Sequence, residues 1–390
     1  VSVSPVDRYT VEHAPVLESF RAFVRRELVP LARQSGVVVG EPVGFDLREF
    51  VRRRSAEVGF YAGDYPVEVG GQSMPFAAKV LLHEYAESCG CPLAPYALCG
   101  PAGPSALLLR ATAEQRERFL RPLVAGELTR CLALTEPGGG SDLADLETAA
   151  VPDGGGWRVR GRKCFVTNAH EADLVLVIAA LPADDGTKIA VVFAVPAGTP
   201  GLVVESTRRG LGDDLLCEVL LDDVPVGEEH LLGGRAAIGA HPGWITRSLA
   251  RGRLVIAANS NGVAARALAL GVEFARVKES FGAPIGSRQH VQEHVVASRV
   301  ELESARLLTF AAAQEVDDGH DAVVQSSLAK LAAGEGAFRT VDRMFQVHGA
   351  AAWLRGHPME YLYRHVRANR LVEGTSEAQK LILAAAEGME

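Results

Sequence analysis

Apolar residues recur at helical spacing near both ends of the chain and take on a strand-like texture in between. Between Pro15 and Arg33, the residues Val16, Phe20, Phe23, Val24 and Leu28 fall on one face of a helix. Pro75 to Ser88 and Ala113 to Leu123 carry similar patterns, and Pro92, Pro95, Gly100, Pro101 and Pro104 punctuate the stretch between them. From Leu128 the period shortens. Trp157, Val159 and Gly161 alternate with arginines after a glycine turn at Asp153 to Gly156. Leu174 to Ala180 is unbroken apolar sequence and reads as a buried strand. Asp184-Asp185-Gly186 marks a turn, and Ile189 to Val195, Leu202 to Glu205 and Glu218 to Leu221 add further strands. From Ile245 the helical period returns over Ile245 to Lys278, Gln289 to Val316 and Ala322 to Gln346. With a last segment from Ser376, these are long enough to pack as a four-helix bundle. The expectation is an α+β multidomain protein. It has an N-terminal helical domain (1–127), a central β-barrel or sandwich domain (128–240) and a C-terminal four-helix bundle (241–390).

Composition narrows the function classes. The 390 residues are 48% hydrophobic and 23% charged, too many for one simple core. A net charge of −8 argues against nucleic acid as a partner, because neutralising phosphates needs a basic surface. Glu12 and Glu18 interrupt any apolar run near the start, so no signal peptide is expected. No segment reads as long and apolar enough to cross a membrane. Of the six cysteines, Cys89 and Cys91 form a C-x-C that lacks a matching second pair. No metal site is therefore expected, and reduced thiols fit a cytoplasmic location.

Five short stretches carry candidate chemistry. Glu373-Gly374-Thr375-Ser376 places a carboxylate on a glycine-containing turn at the mouth of a helix, where Ser376 and Gln379 form an S-x-x-Q capping box. Leu134 to Asp142 combines three glycines with the hydroxyls of Thr135 and Ser141. Its exposed amides suit an anion, yet it matches neither the dinucleotide-fold nor the P-loop glycine pattern, and a surface loop explains it as well. Gly161 to Ala169 reads as a strand whose Phe165 is able to stack on a flat ring beside Thr167; a core aromatic is the plainer reading. Lys278 to Ile285 ends one helix, and Gln289 begins the next. There Lys278 is a phosphate ligand or simply a C-terminal helix cation. Gln346 to Ala350 includes His348, which in an Ala-rich helix reads as a packed or surface histidine.

Taken together, these five stretches resemble the acyl-CoA dehydrogenases in order and spacing. ALTEPGGGSD, KCFVTNA, KESFGAPI followed by a glutamine, QVHGA and VEGT stand where that family carries its recurring motifs, covering about Leu132 to Gln379. The resemblance implies three domains, FAD, a homotetramer in which a neighbouring subunit completes the flavin site, and an electron-transfer flavoprotein as acceptor. By position, Glu373 matches the catalytic base that removes the α-proton of an acyl thioester while a hydride leaves the β-carbon. Leu132, Leu134, Thr135, Gly140 and Ser141 match the loop lining flavin and substrate, and Phe165 and Thr167 the strand beside the flavin ring. Lys278, Phe281, Gln289, Gln346 and Gly349 match FAD contacts, partly across the subunit interface. Thr375 and Glu377 match the flavin contacts after the base, and Arg253 and Gly374 the substrate side.

Departures from the family pattern leave the acyl carrier open between coenzyme A and an acyl carrier protein. Leu132 and Val372 replace tyrosines, Phe165 a tryptophan and Lys278 an arginine, which removes a bidentate phosphate fork. Ala250 stands where many relatives carry an aspartate. Some relatives place the base on a C-domain helix, where this chain has Gly252. Two other functions remain open on the same residues. One is a flavin-dependent oxidase or monooxygenase, revealed by rapid reoxidation in air. The other is a non-catalytic acyl- or flavin-binding scaffold, revealed by binding without bleaching.

Overall fold

The computed structural model describes residues 10–142, 145–183, 186–212, 214–240 and 243–389; Asp184 and Asp185 of the expected turn lie outside them. The chain forms two compact units. One comprises residues 1–51, 74–98 and 249–390, and the other residues 52–73 and 99–248.

The second unit holds the sheet. Strands β1 (Arg130–Ala133), β2 (Ala149–Asp153), β3 (Gly156–Thr167), β4 (Leu174–Pro182), β5 (Lys188–Pro196), β6 (Leu202–Arg209) and β7 (Leu215–Val226) make one seven-stranded sheet. Its order is β1-β4-β2-β3-β7-β6, with β5 on the other edge of β4. β1 and β2 share an edge of β4 in succession, at Leu174 to Val177 and at Ala180. The barrel-or-sandwich expectation thus resolves into a single curled sheet closed on one core. Trp157, Val159, Val177, Phe193, Val219 and Val224 are buried together there. β4 is buried on both faces, which explains its unbroken apolar sequence. β1 and β2 carried too little alternation to be read from the sequence.

A bulge in β3 decides which of its side chains reach the surface. The pairing Lys163↔Val219 is followed by Val166↔Cys217, so β3 spends one residue more than β7. Side chains two apart share a face of a regular strand, so Lys163 and Phe165 would both point inward. The extra residue changes the phase. Lys163 stays buried, Val166 resumes the core, and Phe165 is turned out, 69% exposed, with φ of +55°. The inward Lys163 Nζ donates to Glu136 Oε1 at 2.8 Å and to the Leu134 carbonyl at 2.9 Å. Glu136 also accepts from the amides of Glu147 and Thr148. Burial alone would raise the Glu136 pKa, but Lys163 and these donors hold it down to about 2. Lys163 is pulled below the usual lysine range, because its desolvation outweighs the attraction of Glu136.

Helices of the second unit run through proline. After the capping box of Thr112 and Gln115, Ala113–Gln115 continues into a π-turn at Arg116–Leu120 and then Arg121–Val124. Pro122 would clash with the carbonyl of Arg118, and the wider turn relieves it. In the first unit the same device precedes Pro30. There α1 (Ala14–Phe23) passes through a π-turn at Val24–Leu28 into Val29–Gln34, with Phe20, Phe23, Val24 and Leu28 buried as the periodicity requires.

Further along, α2 (Phe45–Glu57) was hidden by its three consecutive arginines, Arg52 to Arg54. Next come α3 (Phe76–Ser88), α4 (Trp244–Val277), α5 (Gln289–Asp317), α6 (Val323–His348), α7 (Pro358–Ala368) and α8 (Ser376–Ala386). The short α7 was also missed. Asp317, closing α5, accepts from the first two amides of α3 and so caps it. Phe76, Leu254, Ala257, Phe310, Ala313, Ala329 and Ala333 share one core, while Val263, Ala267, Leu302, Ala337, Val341 and Met344 share a second. Contrary to the sequence expectation, Trp244–Val277 has the length and apolarity of a membrane span. Of its apolar window, 56% is buried inside the fold, as befits a core helix.

Breaking one half of a buried ion pair leaves the other charge unpaired. Glu136→Gln or Lys163→Met is expected to lower unfolding stability by about 3–5 kcal/mol in urea titrations, and a double apolar replacement by less. The ionised Glu136 contributes its stability above about pH 4.5 and loses it as pH falls toward 2. Glu136→Gln should therefore flatten that acid limb; an unchanged limb would assign it to other carboxylates.

Candidate functional site

Glu373 sits on a strained turn between α7 and α8. Its φ is +54° and that of Gly374 is +87°, so two successive residues take the left-handed conformation. Gly374 has no alternative there, since a Cβ would lie 2.5 Å from Gln379 Nε2. The turn is held from three sides. Lys330 Nζ on α6 donates to the Gly374 carbonyl at 2.6 Å. Gln379 Nε2 donates to the carbonyls of Glu373 and Gly374 at 3.2 and 3.0 Å. Glu335 Oε1 accepts from Ser376 Oγ at 2.7 Å and from Arg370 Nε at 2.8 Å, binding both flanks.

The expected capping box at Ser376 and Gln379 is therefore not formed. Thr375 is the N-cap, accepting from Ala378 N at 3.2 Å, because the Ser376 hydroxyl is committed to Glu335 and Gln379 reaches back to the turn.

The Glu373 carboxylate packs against α4. A Cβ on Gly252 would fall 2.7 Å from Glu373 Oε2. The neighbouring Arg253 is 5% exposed, and its Nε and Nη1 have no hydrogen-bond partner among the described residues. Burial lowers the Arg253 pKa, and the Glu373 carboxylate opposes that shift. Lys330 is lowered to about 8 by burial, with Arg253 adding to the effect and Glu373, Glu335 and Glu377 resisting it. A carboxylate that interacts with two buried cations, on a turn that costs strain, is the arrangement of a functional group rather than of a packing residue.

Of the positions singled out in the sequence, Glu373, Gly374, Thr375, Glu377 and Arg253 come together here. A second set lies at the far end of the same unit, where the Phe274 and His348 rings stack at 4.6 Å. Lys278 and the hairpin of β8 (Glu279–Ser280) and β9 (Ala283–Pro284) lead to Gln289, the first residue of α5; Gln346 and Gly349 close α6. Phe281 crowns that hairpin, 96% exposed at φ of +53°. Gly252 and Val277 are separated along α4 by ~38 Å at 1.5 Å per residue, so the two sets do not line one site within a chain. His348 is buried, its Nδ1 donating to the Met344 carbonyl at 2.7 Å, as its helical context suggested.

The third set belongs to the sheet unit. Leu132 points away from the β1 core face, and the loop from Leu134 to Ser141 folds back on itself through a bridge between Glu136 and Gly139. Cys164 N donates to the Thr135 carbonyl at 2.9 Å, tying this loop to the bulge that carries Phe165, with Thr167 two residues on. Gly140 lies close against the Thr135 side chain, while Ser141 is exposed.

Sequence reasoning missed Lys330, Glu335, Glu136 and Lys163. A signal was present for two of them. Lys330 shares the helical phase of the buried Ser326, Ala333, Gly334 and Ala337, and Lys163 the strand parity of Trp157 and Val159.

Three family models match in succession: the acyl-CoA dehydrogenase N-terminal domain over residues 10–127, the middle domain over 131–224 and the C-terminal domain over 243–388. The chain is 31% identical to a 3-(aryl)acrylate reductase of Clostridium sporogenes, over 96% of its own length and 98% of that protein. It is 30% identical to the mitochondrial short-chain specific acyl-CoA dehydrogenase of Mus musculus, over 95% and 89%. Its fold is similar to that of PigA with FAD and proline, with a TM-score of 0.84 at 26% identity, covering 97% of this chain and 98% of that one.

Adding one methyl at Gly252 should displace the carboxylate without harming the fold. Gly252→Ala is expected to change unfolding free energy by less than about 1 kcal/mol, the helix gaining propensity as it loses room. A crystal structure of the variant should show Glu373 rotated off α4; an unmoved carboxylate would mean the space is larger than it is here.

Proposed function

The chain belongs to the acyl-CoA dehydrogenase family of flavin oxidoreductases, and on that premise we propose that it catalyses FAD-dependent α,β-dehydrogenation of an acyl thioester with Glu373 as the base. The observation that carries this reading is the Glu373 carboxylate itself. It is held at positive φ against Gly252, so the alternative position for a base in the family, on the C-domain helix, is taken up here by the carboxylate arriving from the turn.

The residues present fit FAD. Phe165 and Phe281 expose whole aromatic rings to solvent from backbone in the left-handed region, a costly arrangement for bulky side chains that a flat, partly apolar ligand would repay. Phe165 and Thr167 would hold the ring system, with Leu132, Leu134, Thr135, Gly140 and Ser141 beside it and Thr375 and Glu377 after the base. Lys278, Phe281, Gln289, Gln346 and Gly349 would hold the rest of a neighbouring subunit's cofactor. The ~38 Å along α4 supports that division between subunits, and the proposed homotetramer rests on the family resemblance. When bound, FAD supplies the acceptor for the hydride that leaves the β-carbon.

The protein's own part is proton chemistry and positioning. The Glu373 backbone N–H donates to the thioester carbonyl and makes the α-proton more acidic. Glu373 then takes that proton on its carboxylate, while Arg253 sets the substrate side of the site. Run in reverse, the same carboxylate returns a proton to the α-carbon, which is the direction named for the Clostridium sporogenes relative. An electron-transfer flavoprotein is the proposed acceptor, and the thioester is carried by coenzyme A or by a carrier protein.

Anaerobic titration of the flavin-loaded protein with acyl thioesters, both CoA-linked and carrier-linked, tests this. One member should bleach the oxidised flavin band, and Glu373→Gln should keep the flavin while losing the bleaching by at least 10²-fold. Near-normal bleaching in that variant would remove Glu373 from the role of base. No bleaching of the wild-type protein by any thioester would remove the dehydrogenation itself.

A further inference from the structure

Resting on the reading of Glu373 as the base, we propose that Lys330 is a positioning residue for the reaction. It fixes the Glu373-Gly374 turn through the Gly374 carbonyl and sets a positive charge beside the base.

Lys330 is 1% exposed, two turns into α6 among Ser326, Ser327, Ala329 and Ala333. A lysine costs several kcal/mol in such a place unless it is paired. Among the described residues its Nζ makes one direct bond, 2.6 Å to the Gly374 carbonyl, short enough for a charge-assisted contact. That carbonyl belongs to the Gly374–Thr375 peptide, one unit beyond the peptide that joins Glu373 to Gly374. The bond thus pins the C-terminal side of the turn that presents the Glu373 carboxylate to Gly252. Gln379 grips the same carbonyl, but only as a neutral amide at 3.0 Å.

The charge has its own environment. Arg253 on α4 faces it as a like charge, while Glu373 on the turn, Glu335 on α6 itself and Glu377 on α8 face it as opposite charges. Burial brings its pKa down to about 8, so the ammonium is lost there in the alkaline range rather than near 10.5. The base then keeps one buried cation, Arg253, where it had two.

The test is single-turnover reduction of the flavin-loaded enzyme by the thioester that bleaches it, with Glu373→Gln alongside. Lys330→Met keeps most of the length and volume of the side chain and removes both donor and charge. It should bind flavin and a non-reducible acyl thioester within about threefold of wild type, yet reduce about 10²-fold more slowly, the scale of effect of a misplaced catalytic group. The isotope effect with α-deuterated substrate should grow, since proton removal becomes more fully rate-limiting. The wild-type rate should decline above about pH 8, and that limb should vanish in the variant. Lys330→Gln keeps a shorter, uncharged donor; it should slow reduction at least tenfold and serves if the Met variant fails to fold. Reduction within twofold of wild type in either variant overturns the proposal. So does a loss that lies wholly in flavin or substrate binding, or an alkaline limb that persists without the lysine. If instead the wild-type protein is reduced by no thioester, the dehydrogenase reading fails before Lys330 is reached.

Discussion

The sheet unit hangs on one buried ion pair. Glu136 and Lys163 meet with side chains 4% and 0% exposed, and beyond each other they bond to the backbone at Leu134, Glu147 and Thr148. Through the Leu134 carbonyl and the amides of Glu147 and Thr148, the pair anchors the two ends of a loop with three glycines, alongside the Cys164–Thr135 bond and the Glu136–Gly139 bridge. Through Lys163 it fixes the inward phase of β3 just before the bulge, and so determines that Phe165 faces out. A hydrophobic pair of the same volume would fill the space and direct no backbone. The ionic version costs desolvation and gives back register, the trade for which buried charge is best suited.

The helical unit solves the corresponding problem with a turn instead of a loop. Glu373 is offered to its surroundings by a conformation that its side chain disfavours. The restraint comes from polar groups that converge on two carbonyls and on Ser376, not from apolar packing. Lys330 and Glu335 are drawn from the interior of α6 and Gln379 from the first turn of α8, so an irregular segment is gripped by regular elements on either side. The same α4 that backs the carboxylate at Gly252 carries Lys278 just past its far end, so one helix spans the two sets of residues to which roles are proposed.

Much of the architecture was legible because each class of element has its own period. The helix faces from Phe20 to Leu28 and along α4 to α6 followed from apolar spacing, and β4 from its unbroken apolar run. Elements with weak or contrary texture escaped: α2 because Arg52 to Arg54 mask its phase, α7 because it is short, and β1 and β2 because a few residues give no period. Motifs located the positions around Glu373, Phe165 and Phe281. What could not be read was their restraint. Whether Ser376 caps a helix depends on Glu335, forty-one residues away, and whether Phe165 faces in or out depends on how many residues β7 spends opposite it. Such information resides in pairings, not in either segment alone.

The left-handed residues carry a consequence for any attempt to harden this protein against heat. Phe165, Phe281 and Glu373 each hold a conformation that costs a non-glycine residue on the order of 1–2 kcal/mol. Relative to a marginal total stability, that is a large reserve waiting to be released. A library screened only for residual fold after heating would be drawn to glycine at these three positions, and on the roles proposed for them it would enrich clones that survive heating better as their chemistry disappears. On that proposal thermostability and turnover compete at identifiable codons, so a useful screen must score both at once.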